Sequence, residues 1–356
     1  VPFFEKLSII RKIIYYFRGY KILQLKKTNK KEKLKIYIEK INFKYNSFDL
    51  SELLNEFYLK FNYFLNDVDQ KSIILKKIIN ENKISLAISN IAKGYNGSIL
   101  DHDVNCNTLC VTHGMMTKSY NDYDSIYKKI LAEAVFAGES KFFAIQSKIM
   151  LDSLNTLKIN GKVIKTGNIV FSSAKNKKEK KNLILHAATV KDFSNLQFLG
   201  VEMFYEYWES LSILNDIAKK NEFKVVSKPH PNIEMCTKDL KKIFKNIKFS
   251  NKPIETLLTK AMVLVSYSST TIEDALNSKV PVILFYKEKR YIHVKSNMRS
   301  NFPSSLNYVS LEKDLIKMIQ NIKEKKVSDF DKYIFESNYT TNIEKNILPL
   351  INNEKI

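Results

Sequence analysis

Residues Val263–Phe285 read VLVSYSSTTIEDALNSKVPVILF. An apolar run of strand length delivers the chain to a cluster of small hydroxyl residues. The cluster opens a short helix, and the helix closes at once into a second apolar run, Val280–Phe285. Runs that are apolar throughout, with no alternation, belong to strands covered on both faces, as in parallel sheets flanked by helices. The pattern predicts a strand over 262–266, a helix over 270–277 and a strand over 280–285. Backbone N–H groups at a helix start are unpaired, and the aligned peptide dipoles favour an anion there. Ser268, Ser269 and Thr270 add hydroxyl donors at the same spot. Glu273 lies one turn further in, where a carboxylate can accept bonds from ribose hydroxyls. One residue suffices to cap a helix, and the row of hydroxyls Ser268–Thr271 exceeds that need, which points to a phosphate site.

Upstream, Val225–Pro231 reads VVSKPHP, a strand that ends in a basic, turn-rich segment. Ligands of open α/β sheets bind at the carboxyl edge of the strands. The prolines on either side of His230 fix the backbone around its ring, and Lys228 and His230 can both donate to phosphate oxygens. His186 ends the strand expected over 182–186. Lys287, Arg290 and His293, in KEKRYIH, follow the last strong strand. His186, Lys287 and Arg290 are candidate contacts to phosphate or to an acidic acceptor. Further upstream, Leu109–Met116 reads LCVTHGMM. A histidine at a strand's carboxyl end suits acid–base work, and Gly114 permits a sharp turn or the close approach of a ligand. Asp101 and Asp103, in LDHDVN, are carboxylate candidates for the same base role.

Strand-sized and helix-sized patterns alternate on both sides of Ser173–Asn182, SAKNKKEKKN, which is polar, Lys-rich and aperiodic. Before it, helical spacing appears over 49–65, 70–80, 123–136 and 148–157, and strands are expected over 84–89, 109–113, 142–145 and 162–165. A further strand could occupy 35–41. After it come helices over 203–220, 233–244, 253–260 and 311–322, with strands over 223–227, 247–249 and 308–309. The fold class expected is α/β, with two Rossmann-like domains facing across a cleft. The expected divisions are a basic amphipathic segment (1–34), an N-terminal acceptor domain (35–172), a linker (173–182), a C-terminal nucleotide-donor domain (183–330) and a helical tail (331–356). Helices after Lys313 are expected to cross back to the first domain.

The chain has 356 residues, enough for two ordinary cores, and its 44% hydrophobic and 27% charged residues make a globular composition. No apolar run approaches the roughly 18–20 residues that span a bilayer. The sequence begins with Val1, as a trimmed chain or a piece of a longer one would. The formal charge is +21, but the lysines are spread along the chain and form no nucleic-acid module, so nucleic acid is not an expected partner. Residues 3–35 mix Phe, Ile, Tyr and Leu with many Lys and Arg, which suits an interfacial helix on an anionic membrane surface or an amphipathic helix capping a domain. Cys106, Cys110 and Cys236 are sparse and odd in number, as in a reducing, cytoplasmic setting. They read as small apolar residues, with no zinc spacing.

The order His113-Gly114, then Lys228-Pro229-His230-Pro231, then Ser268-Ser269-Thr270 with Glu273 and the strand Val280-Pro281-Val282-Ile283 resembles GT-B-fold transferases of bacterial surface polysaccharide biosynthesis. The nearest patterns are those of capsule-type enzymes with HP and SS motifs. These include CMP-sugar users, such as sialyl- and Kdo-type transferases, and CDP-glycerol glycerophosphotransferases. The resemblance covers residues 84–325 and is most specific over 182–286. It implies that His230, Ser268 and Ser269, with Thr270 beside them, contact the nucleotide, and that His113 is the catalytic histidine. The chain departs from the sialyltransferases in lacking their acidic motif, and from the glycerol-phosphate polymerases in the residues after Gly114. The resemblance to GT-B enzymes implies a metal-independent reaction and no cofactor. The expected partners are a nucleotide-activated donor and a glycan or lipid-linked acceptor. Competing expectations are a sugar-nucleotide epimerase or hydrolase on the same scaffold, and a non-catalytic nucleotide-sugar-binding subunit.

Overall fold

The computed structural model describes residues 44–45, 48–49, 51–90, 105–112, 140–154, 161–171, 182–187, 200–220, 222–230, 237–267, 269–285, 302–335 and 339–352. The strand expected over 35–41, the helix expected over 123–136 and nearly all of the Lys-rich stretch lie outside them. A short antiparallel pair, β1 (Lys44–Tyr45) and β2 (Phe48–Asp49), leads into α1 (Ser51–Glu81). The sequence suggests two helices here, but the chain forms one. Asn66 Nδ2 donates to the Asn62 carbonyl at 2.7 Å, and Lys71 pairs with Asp67 at 2.9 Å, so local pairs carry the helix through Asn66–Asp69. At its end Lys83 takes φ 48°. Ile84 N–H then bonds the Ile79 carbonyl at 3.0 Å, and Lys83 N–H bonds that of Asn80 at 3.3 Å. This is the Schellman arrangement, built on a lysine where glycine is usual.

The first sheet follows. It holds β3 (Leu86–Ser89), β4 (Asn107–Cys110), β5 (Phe142–Ile145) and β6 (Lys162–Lys165), in that spatial order and all parallel. Helix α2 (Lys148–Leu154) leaves the end of β5. Cys106 and Cys110 are buried in separate apolar clusters, as small apolar residues would be.

The second sheet is built from β7 (Leu183–His186), α3 (Gly200–Lys219), β8 (Lys224–Ser227), α4 (Thr237–Ile243), β9 (Ile247–Phe249), α5 (Ile254–Leu258), β10 (Val263–Ser266), α6 (Thr271–Asn277), β11 (Val282–Phe285) and β12 (Leu306–Val309). All its strands are parallel, in the order β12-β11-β10-β7-β8-β9. Renumbered within this half, that is the doubly wound order 3-2-1-4-5-6. Every residue of β10 and β11 is buried, as their unbroken apolar runs require. Tight turns hold the pair together. Lys279 at φ 52° closes α6 with Val280 N–H bonded to the Ala275 carbonyl at 2.8 Å.

Helix α7 (Glu312–Glu324) stays on β11 and β12, although the return to the first half is expected from Lys313 onward. The chain crosses only after it. Asp329, in a 3₁₀ turn (Asp329–Lys332), accepts bonds from Ser304 Oγ at 2.6 Å and Ser305 N–H at 2.7 Å. Four residues on, the Tyr333 carbonyl takes the first N–H groups of α2, Lys148 at 3.0 Å and Ile149 at 3.3 Å. Helices α8 (Tyr339–Asn346) and α9 (Leu348–Ile351) then pack on the first sheet, where Ile347 and Leu350 join Leu109, Val111, Ala144 and Ile164.

Candidate functional site

The order of the second sheet puts its reversal point between β7 and β10, the crevice where open α/β sheets take ligands. At the end of β7 stands His186, fully buried against Tyr207. Its Nδ1 lies 3.0 Å from Ser227 Oγ and its Nε2 lies 3.1 Å from Ser210 Oγ. Ser210 Oγ donates its one proton to the Tyr207 carbonyl at 2.7 Å, so it must accept from His186. Nε2 therefore carries the proton and Nδ1 accepts from Ser227. Burial pushes the imidazole down to about 3, so the ring is neutral. His186, expected as a candidate phosphate or acceptor contact, thus has both ring nitrogens engaged by hydroxyls inside the sheet–helix layer, where it supports the edge.

What it supports is the KPH segment. Lys228 N–H donates to the His186 carbonyl at 2.8 Å, extending the β7–β8 ladder by one residue. Pro229 is buried, and Lys228 and His230 are half-buried just beyond. Burial first, and the Lys228 charge second, hold His230 below the usual histidine range. Sequence reading passed over Ser227 and Ser210. The one signal for Ser227 was a polar residue closing the apolar run of β8.

On the other side of β7, the Ser266 hydroxyl at the end of β10 is buried and finds no hydrogen-bond partner among the described residues. Two residues past Tyr267, Ser269 Oγ accepts from Thr271 N–H at 3.2 Å and from the Thr271 hydroxyl at 2.9 Å. Ser269 is thus the capping residue, and Thr271 is spent on it. Because Ser269 Oγ accepts twice, its own proton remains to be donated. Thr270 makes no capping bond through its side chain. Glu273 is fully buried on the first turn of α6. Lys228, His230, Ser269, Thr270 and Glu273 thus share the carboxyl edge of one sheet, on the two strands that flank β7. Ser268, Lys287, Arg290 and His293 lie outside the described residues.

On the first sheet, Gln146 organises the corresponding edge. Its Nε2 donates to the Thr112 carbonyl at 2.8 Å, and its Oε1 accepts from Ile169 and Val170 N–H at 3.0 Å each. The buried Thr112 is the last described residue before His113. His113, Asp101 and Asp103 themselves lie outside the described residues. A cavity of about 460 Å³, lined by Lys148, Lys165, Gly167, Asp331, Phe335 and Asn342, opens where the returning chain meets this sheet. Among the described residues, none of the expected site residues lines it.

The chain matches no protein-family model and no curated protein. Solved structures similar to it include a putative UDP-N-acetylglucosamine 2-epimerase from Listeria monocytogenes. That pair has 12% identity and a TM-score of 0.49, over 80% of this chain and 79% of that one. The S. aureus MnaA–UDP structure has 11% identity and a TM-score of 0.46, over 72% and 70% of the two chains. The wall teichoic acid polymerase TagF has 14% identity and a TM-score of 0.45, over 76% and 72%. All three likenesses are distant. The α/β assignment rests on the two parallel sheets themselves. Among the described residues, no helix is long and apolar enough to cross a membrane.

Proposed function

We propose that the chain is a transferase of bacterial surface polysaccharide biosynthesis, moving a sugar or glycerophosphate from a CMP- or CDP-linked donor to a glycan hydroxyl. The observation that carries this reading is the reversal point between β7 and β10, with Lys228 and His230 on one side and Ser269 and Thr270 on the other. Strands β8 and β10 lie two strand spacings apart, about 10 Å, a span that the phosphates and ribose of a nucleotide can bridge. The orphan Ser266 hydroxyl and the unspent proton of Ser269 are donors aimed at nothing else described. In the proposed reaction His113, reaching from the first sheet across a cleft, takes the proton of the acceptor hydroxyl as that oxygen attacks. The bond to the donor's leaving phosphate breaks, and the charge on the departing nucleotide meets Lys228, His230 and the hydroxyls. Asp101 and Asp103 are the alternative bases, and Glu273 the ribose contact.

The test is a thermal-shift series with CMP, CDP, UDP and GDP on the full chain, since a ligand that binds the native state raises its melting temperature. A cytidine nucleotide should give the largest shift. The double change Ser268→Ala/Ser269→Ala should weaken it by about 0.5–1.5 kcal/mol per neutral hydrogen bond lost. Because Ser269 also caps α6, the shift is read against the variant's own melting point. Equal shifts in parent and double variant, or none with any nucleotide, would overturn the site. With donor and acceptor in hand, His113→Ala should lower turnover by about 10²–10⁴-fold and leave nucleotide affinity nearly unchanged. Turnover of the donor with no acceptor present would mark an epimerase or hydrolase instead.

A further inference from the structure

Lys148 opens α2 just past β5, and Lys165 ends β6. The two strands are parallel neighbours, with Ile145 and Lys165 paired in register, so both lysines stand at the carboxyl edge of the first sheet. That edge is where open α/β sheets take ligands. The returning chain builds a second wall against it. Lys148 N–H bonds the Tyr333 carbonyl at 3.0 Å, Ser147 and Ile334 form an antiparallel bridge, and Asn342 Nδ2 reaches the Asn168 carbonyl at 3.3 Å. The two walls are thus bonded to each other, and the cavity of about 460 Å³ lies between them. Small-molecule sites have roughly 300–1,000 Å³.

The lining says what fits. Lys148 Nζ donates to the Asp331 main-chain carbonyl at 2.5 Å, a neutral acceptor. Its charge is therefore not cancelled, and an ammonium has two further protons to give. The Lys165 ammonium makes no bond among the described residues, and the Asp331 carboxylate accepts none there. Two cations against one carboxylate leave the cavity positive, which selects an anion. Asp331 repels a bare anion but accepts from hydroxyl groups. The half-buried Phe335, beside the buried Ile334, adds an apolar wall. A ligand that meets all of these carries a phosphate at one end and hydroxyls around an apolar ring face at the other.

We infer that this cavity is a second ligand site, one that takes a phosphorylated sugar, with the phosphate between Lys148 and Lys165, hydroxyls on Asp331 and the ring face on Phe335. It shares no residue with the crevice between β7 and β10, and it stands whether or not that crevice holds a nucleotide. The experiment titrates the full chain calorimetrically, at low ionic strength, with glucose 6-phosphate, glucose and inorganic phosphate. Glucose 6-phosphate should bind to one site, inorganic phosphate at least about tenfold more weakly, and glucose not measurably. Lys165→Met keeps the apolar stem of an exposed side chain and removes its charge. It should leave the melting point unchanged and weaken glucose 6-phosphate about tenfold or more. Asp331→Asn should narrow the preference for the sugar phosphate over phosphate. The crevice variant Ser268→Ala/Ser269→Ala should bind glucose 6-phosphate as the parent does. Absence of saturable binding by glucose 6-phosphate, or parent affinity in Lys165→Met, would overturn the inference. Inorganic phosphate binding as tightly as glucose 6-phosphate would do the same, since it would mark a simple anion site, and loss of binding in the crevice variant would place the ligand there instead.

Discussion

His186 is held neutral by burial, and that has a cost that depends on pH. Its folded value of about 3 lies below the ordinary 6.5 of an unfolded histidine, so the unfolded chain binds the extra proton. Stability is therefore unaffected by this group above about pH 7.5 and falls as pH drops through 6.5 toward 3, by about 1.4 kcal/mol per pH unit. Urea unfolding at pH 7.5, 6.0 and 5.0 checks this, and His186→Gln should flatten the slope in that window while lowering stability at pH 7.5. His230 gives the opposite sign for binding. Burial and Lys228 depress it in the free chain, and a phosphate bound beside it would raise it. Binding then takes up a proton, so nucleotide affinity should strengthen as pH falls from 8 to 6 and weaken as pH rises through the bound-state value. Titration calorimetry in two buffers reads that uptake directly, and His230→Asn should abolish it. In the sequence His186 ends a strand and His230 stands three residues past one, and both are candidate ligand contacts there. What separates them is side-chain burial: Ser210, which claims His186, comes from helix α3, 24 residues away, and no local pattern announces it.

The elements were legible wherever local chemistry decides them. Strands β5, β6 and β9 span the residues expected for them, and Pro253 stands just ahead of α5 as its N-cap residue. The break expected inside α1 did not occur, because Asn66 and Asp67, poor helix formers in isolation, are paired within the helix. Strand order is a different kind of fact. That β7 lies between β10 and β8 is set by crossovers and packing, and no period in the sequence encodes it. The same applies to Gln146, whose three bonds pin the edge leading to His113. One capping detail runs against local preference and is correctable. Lys83 is exposed and holds φ 48° at the end of α1. A left-handed backbone costs a residue with a Cβ roughly 1–2 kcal/mol, part of which glycine gives back through its looser unfolded chain. Lys83→Gly should therefore raise stability by about 0.5–1 kcal/mol, seen as a higher urea midpoint at unchanged slope.

Across the whole molecule, sequence order and spatial order part company after α7. The last described residues, 339–352, come after the second sheet in the chain but complete the core of the first. Asn107 Nδ2, at the start of β4, donates to the Leu350 carbonyl at 2.8 Å, and the Asn342 amide reaches the Asn168 carbonyl at 3.3 Å. The crossing is clamped at Asp329. Burial works to raise its carboxyl, but the bonds from Ser304, Ser305 and Lys332 prevail and hold it below the usual range. Leu350 is 1% exposed and packs with Leu109, Val111, Ala144 and Ile164, residues of β4, β5 and β6 or next to them. Truncating such a side chain to alanine removes its transfer energy and leaves a cavity, about 2–5 kcal/mol together. The loss falls on the first sheet alone, because no residue of β7–β12 belongs to that cluster. Leu350→Ala should therefore speed amide exchange in β3–β6 by about 30-fold or more, the Boltzmann equivalent of 2 kcal/mol, while β10 and β11 keep the protection of the parent. Hydrogen-exchange mass spectrometry resolves the two sets of peptides. Equal loss in both sheets would mean that they open as one unit, coupled through Phe330 and Ile334, which share a cluster with both Phe143 and Leu284.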